Sequence, residues 1–588
     1  MACENGNADS RESDWHSRNL VDHFEGLRTS VAKRLSIFSP TIGSGLGKNV
    51  FGKDVANHSL FRALLLYGGL DQLDFLHPSG APAHRLATSL IGDSPCPTVV
   101  TSNNQLAFDV ARQSGTLLRG SADLISLSWE RRRRGATQDY SLMGLIHTTA
   151  PPNIREYIGQ SLVAPVMPWD AIICTSPSVQ TAMSNMFDDW RRYLGSRFDS
   201  KAVPAPMLPL LPLGVEAADF AKGPNSLGDR SSFRTELRVG DDEILVLWVG
   251  RLSFFEKAFP QPMMIAIEAA AKMSGKRVHF AMAGWFPDGA EGERLYRQAA
   301  SLHAPNVQFH IVDGNDKQKL RKAWAGADVF ISLVDNIQET FGITPLEAMA
   351  SGLPVVVSDW DGYRYTVRDG IDGFLIPTLI GEPSAVTDSL AAQHAFNMKS
   401  YQQYVAITAQ HTAVNIKIAA ERLSDLFLSP DLRAKMGEAG RQRVASTFDW
   451  RVVAPQYVAL ADELAAVRAS ASGGTVHPDH LAGHHPSRSD PFHAFANFAT
   501  HILSDASVLS VSAAFDVSVL ETFRGSELTM FAANWHAAMP EMTTLVRALK
   551  DRGPMSQQEV TGMFPQNQHL GIKLAILWLA KIGVVHWE

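Results

Sequence analysis

The chain has 588 residues, of which 45% are hydrophobic and 19% charged, and its formal net charge is −7. This length predicts two to four domains, because a single hydrophobic core stops growing at roughly 250–300 residues. The negative charge balance excludes a global attraction to nucleic acid or to an anionic membrane. The three cysteines, Cys3, Cys96 and Cys174, are scattered without metal-ligand spacing, which favours a reducing, cytoplasmic location over a disulfide framework.

Residues 1–33 form a polar N-terminal leader without the apolar core of a signal peptide. No apolar run in the chain approaches the roughly 18 residues that a membrane-spanning helix needs. We therefore expect no transmembrane segment and at most a peripheral contact with a membrane.

Residues 34–225 predict a first α/β domain. A short buried strand at Arg34 to Pro40 leads through the glycine-rich turn "TIGSGLGKNVFG" into an apolar-periodic helix near Asp54 to Tyr67. Further strands follow at "PTVVTS", "SLMGLIHTT" and "DAIICTS", and helical stretches separate them. This alternation is typical of a parallel sheet covered on both faces.

Residues 226–465 repeat the alternation and predict a second domain of the same kind. Its strands include "EILVLWVGRL", "RVHFAMAGW", "VQFHIVD" and "DVFISLV", and their continuous apolar runs suit strands that are buried on both faces. The prediction is therefore two doubly wound, Rossmann-like α/β domains in series. Ligands of such sheets bind beyond the carboxyl ends of the strands.

A flexible linker at residues 466–490 and a small, mainly helical domain at 491–588 complete the predicted organisation. The linker is rich in Ser, Gly, Pro and His. The end of this domain is predicted as a helix, a turn, a second helix opened by a capping box at Ser556 and Glu559, an apolar helix and a short strand. This order resembles a winged-helix fold. We expect Phe492, Phe495 and Phe498, at helical spacing, to lie in its core.

The partner of this last domain is predicted from its charge. Residues 541–588 contain five Lys and Arg against four Asp and Glu, so no basic face is available for nucleic acid. We expect instead a protein partner or a dimer contact through residues 491–588. The run "ERRRRG", Glu130 to Gly135, is interpreted as a solvated charge run in a loop.

The stretch "QETFGITPLEAMASGLPVVVSD", Gln338 to Asp359, has the strongest pattern for chemistry. Glu339 and Glu347 are too far apart to share one helical face, so we expect them to contact different parts of a ligand. Pro345 suits the first turn of a helix, which would leave the backbone amides of Gly342, Ile343 and Thr344 free at its N-terminus. Such amides form an anion site that fits a diphosphate, and carboxylates accept hydrogen bonds from sugar hydroxyls.

This stretch resembles the E-x7-E motif of family 4 of the retaining glycosyltransferases, which have the GT-B fold. "WVGRLSFFEKA", "DGYRYTVRDGIDGFLIP" and "FDWRVVAPQYVAL" resemble further segments of that family in the same order, and the resemblance covers roughly residues 34 to 465. It implies two Rossmann-like domains that face each other across the active site.

The resemblance also implies roles for individual residues. Arg251 and Lys257 would neutralise the donor diphosphate together with the amides of Gly342, Ile343 and Thr344. Glu347 would bind the donor ribose, and Glu339 and His147 would be the catalytic residues beside the donor sugar. The remaining matches are a loop near the diphosphate and acceptor (Gly43, Ser44 and Gly45) and a region near the base (Ile311 and Val312).

The activity that the resemblance implies is a retaining, metal-independent transfer of a sugar from a nucleotide-sugar donor, a UDP- or GDP-sugar, to a cytosolic glycan, lipid-linked or protein acceptor. No metal ligand and no further cofactor is expected. The alternatives are another GT-B enzyme, such as a sugar-nucleotide epimerase or a phosphorylase, and a catalytically silent scaffold that binds a nucleotide sugar or a protein. An insertion from Leu379 to about Val414, with Tyr401 and Tyr404, is expected beside the pocket.

Overall fold

The computed structural model describes residues 33–40, 52–200, 203–221, 226–471, 483–523, 527–531, 533–535 and 537–588. The chain divides into two compact units, residues 1–484 and residues 485–588. The first unit contains both parallel sheets.

The first domain of the larger unit is a six-stranded parallel sheet with the order β3-β2-β1-β4-β5-β6. Its strands are β1 (Arg34–Phe38), β2 (Gln72–His77), β3 (Val99–Asn104), β4 (Thr116–Arg119), β5 (Ser141–Leu145) and β6 (Ala171–Ile173). Its helices are α1 (Gly52–Tyr67), α2 (Ala83–Ile91), α3 (Asp109–Ser114), α4 (Ile125–Arg133), α5 (Pro152–Gln160) and α6 (Pro177–Phe198). Strands β5 and β6 are buried throughout, as expected for a sheet covered on both faces.

The second domain is another six-stranded parallel sheet, with the order β12-β11-β10-β7-β8-β9. Its strands are β7 (Ile244–Val249), β8 (Val278–Gly284), β9 (Gln308–Asp313), β10 (Val329–Ser332), β11 (Val355–Ser358) and β12 (Gly373–Ile376). Its helices are α7 (Ala217–Phe220), α8 (Ser226–Leu237), α9 (Pro260–Ser274), α10 (Gly289–His303), α11 (Lys317–Gly326), α12 (Ile343–Ala350), α13 (Tyr363–Thr366), α16 (Ile416–Leu428) and α17 (Pro430–Arg443). The prediction of two doubly wound, Rossmann-like domains is confirmed.

The insertion between β12 and α16 is a folded subdomain. It consists of the antiparallel strands β13 (Thr378–Ile380) and β14 (Thr412–Val414) and the helices α14 (Ala385–Ala395) and α15 (Tyr401–Gln410). Val405 is fully buried on α15, which therefore has a small apolar interface of its own.

The two domains face each other at the carboxyl ends of their strands. Ser176, which follows β6, donates to Asp361, which follows β11, over 2.6 Å between Oγ and Oδ1. The hydroxyls of Ser178 and Tyr365 lie 3.4 Å apart beside this contact. A cleft between the sheets therefore begins at their ligand-binding edges.

Helix α18 (Trp450–Ala471) returns from the second domain to the first. Its Tyr457 hydroxyl donates to the carbonyl of Pro212 over 3.2 Å, and the Arg451 guanidinium lies 4.9 Å from the centre of the Tyr67 ring on α1. The helix continues to Ala471, six residues past the predicted end of the second domain at 465, so the start of the predicted linker is helical. The rest of the linker, as far as residue 482, lies outside the described residues.

The smaller unit is mainly helical with a three-stranded antiparallel sheet, ordered β16-β15-β17. Its strands are β15 (Val508–Ser510), β16 (Met555–Ser556) and β17 (His586–Trp587), and its helices are α19 (Pro491–Ala494), α20 (Val519–Thr522), α21 (Glu527–Met530), α22 (Met539–Arg552), α23 (Gln557–Gly562) and α24 (His569–Lys581). The predicted capping box opens α23, where the Ser556 hydroxyl accepts from the Glu559 amide and the Glu559 carboxylate accepts from the Ser556 amide.

Two predictions about burial are wrong. Phe492, Phe495 and Phe498 are 70%, 56% and 80% exposed, because they belong to short turns of helix outside the core that α22 and α24 form. The arginine run is not a solvated loop either, since α4 extends to Arg133 and the Arg131 side chain is fully buried. No helix in the described ranges is long and apolar enough to cross a membrane.

Candidate functional site

Helix α12 begins at the edge of the cleft with its N-terminus open. Gly342 precedes the helix as its N-cap residue, with a φ of 88° that favours glycine. No side chain of a described residue caps the helix, which leaves the first amides, including those of Ile343 and Thr344, open in this part of the structure. The helix start has the geometry that an anion site needs, and the role of these amides at a diphosphate stays a prediction.

The Tyr363 ring fixes the turn that precedes α12. A Cβ atom built on Gly342 would lie 2.0 Å from Cε1 of Tyr363, a fully buried side chain. The Tyr363 hydroxyl is 3.0 Å from the Ser332 hydroxyl at the end of β10. The Tyr363 ring therefore packs against both the start of α12 and the end of β10.

Glu339 and Lys257 form an ion pair in the cleft. The distance between Nζ of Lys257 and Oε2 of Glu339 is 2.6 Å, and the Glu339 side chain is only 10% exposed. The structure thus joins the residue expected beside the donor sugar to one of the two cations expected at the diphosphate.

Arg251 is also paired with a carboxylate. It lies two residues past the end of β7, and its Nη1 lies 2.6 Å from Oε2 of Glu256. Gln338 donates to the carbonyl of Glu256 over 2.9 Å, and Asn336 donates to the carbonyl of Phe255 over the same distance. These bonds join the loop after β7 to the loop after β10. Arg251 and Lys257 therefore lie on a loop that hydrogen bonds hold in place.

Glu347 lies further along α12 with a half-buried side chain. Among the described residues its carboxylate has no hydrogen-bond or ion-pair partner. Burial raises its pKa to about 7, against the smaller opposing effect of the Lys257 charge. A carboxylate without a partner at this position is an available acceptor for ligand hydroxyls.

His147 enters the cleft from the first domain, just after β5. Its Nε2 lies 2.9 Å from Oδ1 of Asn57 and 3.2 Å from the carbonyl of Gly120, so Nε2 carries the proton and donates. Burial lowers the pKa of His147 to about 4, which makes the imidazole neutral at physiological pH. The hydroxyl of Thr340 donates to the carbonyl of His147 over 2.8 Å, which brings His147 to the Glu339 loop.

The sequence analysis did not select Asp361 as a site residue. Burial raises the pKa of Asp361 to about 7. The hydrogen bond from Ser176 acts to lower this pKa, and the charge of Glu339 acts to raise it. Its φ of 38° places it in the left-handed region, where a non-glycine residue is uncommon. The pattern "DWD" at Asp359 to Asp361, directly after the apolar run of β11, is the sequence signal that could have indicated it.

A cavity of about 230 Å3 opens at the carboxyl ends of the first sheet, next to His147. Lys53, Asn57 and Arg119 belong to its lining. A larger cavity, of about 650 Å3, includes Asp328 and Pro354, which directly precede β10 and β11. It therefore lies at the opposite, amino-terminal edge of the second sheet, away from the cleft.

Within the described part of the chain, no hydrogen bond or ion pair joins Ile311 or Val312 to this cluster. Ile311 and Val312 lie on β9, the edge strand of the second sheet, where Ile311 is half-buried and Val312 is buried. Gly43, Ser44 and Gly45 lie outside the described residues. In the described ranges no group of three or more His, Cys, Asp or Glu is arranged to hold a metal ion.

Comparison with known proteins identifies the central segment of the chain. Residues 229–391 match the family model "Glycosyl transferases group 1". D-inositol 3-phosphate glycosyltransferase of Geodermatophilus obscurus is 31% identical over 181 residues, which are 28% of this chain and 36% of that protein. Phosphatidyl-myo-inositol mannosyltransferase of Mycobacterium leprae is 46% identical over 103 residues, which are 17% of this chain and 25% of that protein. The chain thus spans about a third of the length of the first curated relatives that it matches.

Solved structures align over more of the chain at lower identity. The Anabaena protein Alr3699/HepE in complex with UDP and glucose aligns with 73% of this chain and 98% of its own, at 15% identity and a TM-score of 0.45. Sucrose-phosphate synthase from Thermosynechococcus elongatus aligns with 74% of this chain and 100% of its own, at 17% identity and a TM-score of 0.45.

Proposed function

From the glycosyl transferases group 1 segment at residues 229–391, we propose that this protein is a retaining, metal-independent glycosyltransferase with a nucleotide-sugar donor. The observation that carries the proposal is the bond from Thr340 to the carbonyl of His147. It supports a single site made from both domains, in which the first domain contributes a neutral imidazole and the second contributes cations, helix amides and a carboxylate.

The donor would bind to the second domain. Its diphosphate would contact the amides at the start of α12 together with Arg251 and Lys257, because both cations and free amides favour negative charge. Its ribose hydroxyls would donate to Glu347, the carboxylate that has no partner among the described residues. The base would lie near Ile311 and Val312, and the donor is a UDP- or GDP-sugar.

Donor binding would exchange one set of charge pairs for another. Arg251 pairs with Glu256 and Lys257 pairs with Glu339, both at 2.6 Å. A diphosphate carries enough negative charge to take over both cations. Glu339 would then be free to accept a hydrogen bond from a hydroxyl of the donor sugar.

His147 would act beside the donor sugar as a neutral group. Its Nε2 proton is donated to Asn57 and Gly120, so the lone pair on Nδ1 remains to accept a hydrogen bond from a sugar hydroxyl. With its pKa lowered to about 4, it would not add positive charge to the developing oxocarbenium ion at neutral pH.

The transfer would follow from charge development. As the bond between the anomeric carbon and the phosphate oxygen breaks, negative charge grows on the diphosphate, where Arg251, Lys257 and the helix amides stabilise it. The acceptor oxygen would attack the same face of the sugar, which retains configuration, and its proton would pass to the departing phosphate oxygen. This arrangement supplies the charge stabilisation without a metal ion.

The acceptor would enter by way of the 230 Å3 cavity of the first domain. The acceptor would be a glycan, a lipid-linked molecule or a protein. The transfer would take place in the cytoplasm. Residues 491–588 would serve as a winged-helix-like interaction module for a protein partner or a second copy.

The test is donor turnover by the full-length protein. UDP-, GDP- and ADP-sugars are offered with and without EDTA, and hydrolysis or transfer is followed beside Arg251→Ala and Glu347→Ala. We expect one donor to be consumed by the wild type in EDTA and far more slowly by both variants. Donor binding without any turnover would support the scaffold instead, and epimerised donor would identify an epimerase. Loss of activity in EDTA would overturn metal independence.

A further inference from the structure

The inserted helix α15 presents a buried hydroxyl that no described residue pairs with. The hydroxyl oxygen of Tyr401, the first residue of α15, is buried and has no hydrogen-bond partner among the residues that the structure describes. Buried polar groups are nearly always satisfied, so an unsatisfied one calls for a ligand or another explanation.

Tyr401 is held in place by the insertion itself. A capping box starts α15 at Ser400 and Gln403, which accept from each other's backbone amides. One turn along the helix, the Tyr404 ring stacks on His394 of α14 with 4.9 Å between the ring centres. The Tyr401 ring lies 6.4 Å from the same histidine. The hydroxyl therefore has a defined position.

The surroundings of this hydroxyl belong to the donor site. The charged groups that act on it are Glu256 and Arg251 of the loop after β7, and Arg155 of α5 in the first domain. The neighbouring residue Gln402 donates to Glu256 over 3.4 Å, and Glu256 in turn is the ion-pair partner of Arg251. Gln402 thus contacts the Arg251–Glu256 pair, and the adjacent Tyr401 hydroxyl lies within range of the charges of that pair.

We propose that Tyr401 is a further donor-binding residue, whose hydroxyl donates a hydrogen bond to the diphosphate of the nucleotide donor beside Arg251. The inference rests on the proposed function and names an additional contact of the same site. Once the diphosphate replaces Glu256 on Arg251, Gln402 remains as the partner of Glu256, and the Tyr401 hydroxyl gains an acceptor that the described residues do not provide. Burial raises the pKa of Tyr401, so the hydroxyl keeps its proton and donates.

The test compares Tyr401→Phe with the wild type by calorimetric binding of UDP and GDP, and of uridine and guanosine as phosphate-free probes. A hydrogen bond to a charged oxygen predicts a rise of about tenfold or more in the Kd of the nucleotide that binds. The Kd of the corresponding nucleoside should stay unchanged. Tyr404→Phe is the matched control, because it removes the same hydroxyl one turn along α15 and should leave both dissociation constants unchanged.

The melting temperature without nucleotide separates ligand binding from a structural role. Tyr401→Phe removes an unsatisfied hydroxyl, so the Tm of the free protein should stay equal or rise. A clear fall in Tm with equal weakening of nucleotide and nucleoside would mean that Tyr401 is structural, and the inference would be overturned.

Failure of this inference can be distinguished from failure of the proposed function. If the wild type binds a nucleotide, Arg251→Ala weakens the binding and Tyr401→Phe behaves like Tyr404→Phe, only the role of Tyr401 is refuted. If the wild type binds neither UDP nor GDP, the proposed donor site itself is refuted and the role of Tyr401 with it.

Discussion

Replacing Gly342 with alanine tests whether the start of α12 is fixed by the Tyr363 ring. The new Cβ would lie 2.0 Å from Cε1 of Tyr363, and the φ of 88° would be strained for alanine. The left-handed conformation costs about 1–2 kcal/mol for a residue with a Cβ. Overpacking of a close-packed core adds about 1–3 kcal/mol. We therefore expect Gly342→Ala to lower the free energy of unfolding by about 2–5 kcal/mol.

Gly370→Ala is the matched control. Gly370 has a similar φ of 71°, but nothing lies within 4 Å of a Cβ built there. It should lose only the conformational part, about 1–2 kcal/mol. Urea unfolding followed by tryptophan fluorescence measures both variants. Equal losses for the two would refute the constraint from Tyr363, because the difference between them isolates the contact with the ring.

Three further predictions concern buried charge. Arg131→Met should lower the free energy of unfolding by about 3–5 kcal/mol, because Asp170, fully buried at 2.6 Å from Arg131, would keep an unpaired charge. The control is Arg133→Met, which breaks a more exposed pair and should lower the free energy of unfolding by less than about 1 kcal/mol in a urea titration. Comparable losses in the two variants would contradict the importance of the buried pair. Burial lowers the pKa of His310 to about 4, so the folded state binds a proton at this histidine less readily than the unfolded state does. The stability that neutral His310 contributes above about pH 6.5 should therefore be lost as the pH falls towards 4. The free energy of unfolding should fall less steeply over this range in His310→Gln, and an unchanged slope would contradict the lowered pKa. The pKa of Glu347, raised to about 7, predicts that uridine binds less tightly as the pH falls through 7, because the protonated carboxyl loses acceptor capacity for the ribose hydroxyls. In calorimetry, the Kd of uridine should change less with pH in Glu347→Gln than in the wild type. Identical pH profiles would exclude the contact between Glu347 and the ribose.

The sequence determined the architecture and the local backbone geometry around the candidate site because these depend on local pattern. Continuous apolar strands that alternate with helices can be stable only as a parallel sheet covered on both faces, and two such sheets are present. Gly342 before an apolar helix with Pro345 in its first turn predicted an open N-terminus, and α12 begins there with no side-chain cap from the residues that the structure describes. The capping box at Ser556 and Glu559 is a local signal of the same kind.

Local pattern failed where burial depends on distant segments. Arg131 was expected in solvent, but its partner Asp170 is 39 positions away, and only the packed sheet brings the two together. The spacing of Phe492, Phe495 and Phe498 is the same for a core helix and for exposed turns, and no described segment of their own unit packs over these rings.

The pairing of charges in the cleft was decided by the tertiary structure alone. Lys257 and Glu339 are 82 positions apart, and the bond from Thr340 to His147 spans 193 positions. The Tyr401 hydroxyl gains its surroundings from three segments, α5, the loop after β7 and the insertion. The free energy of a charge pair or an unsatisfied hydroxyl depends on distance and on exclusion of water, and both quantities exist only after the two domains and the insertion have packed.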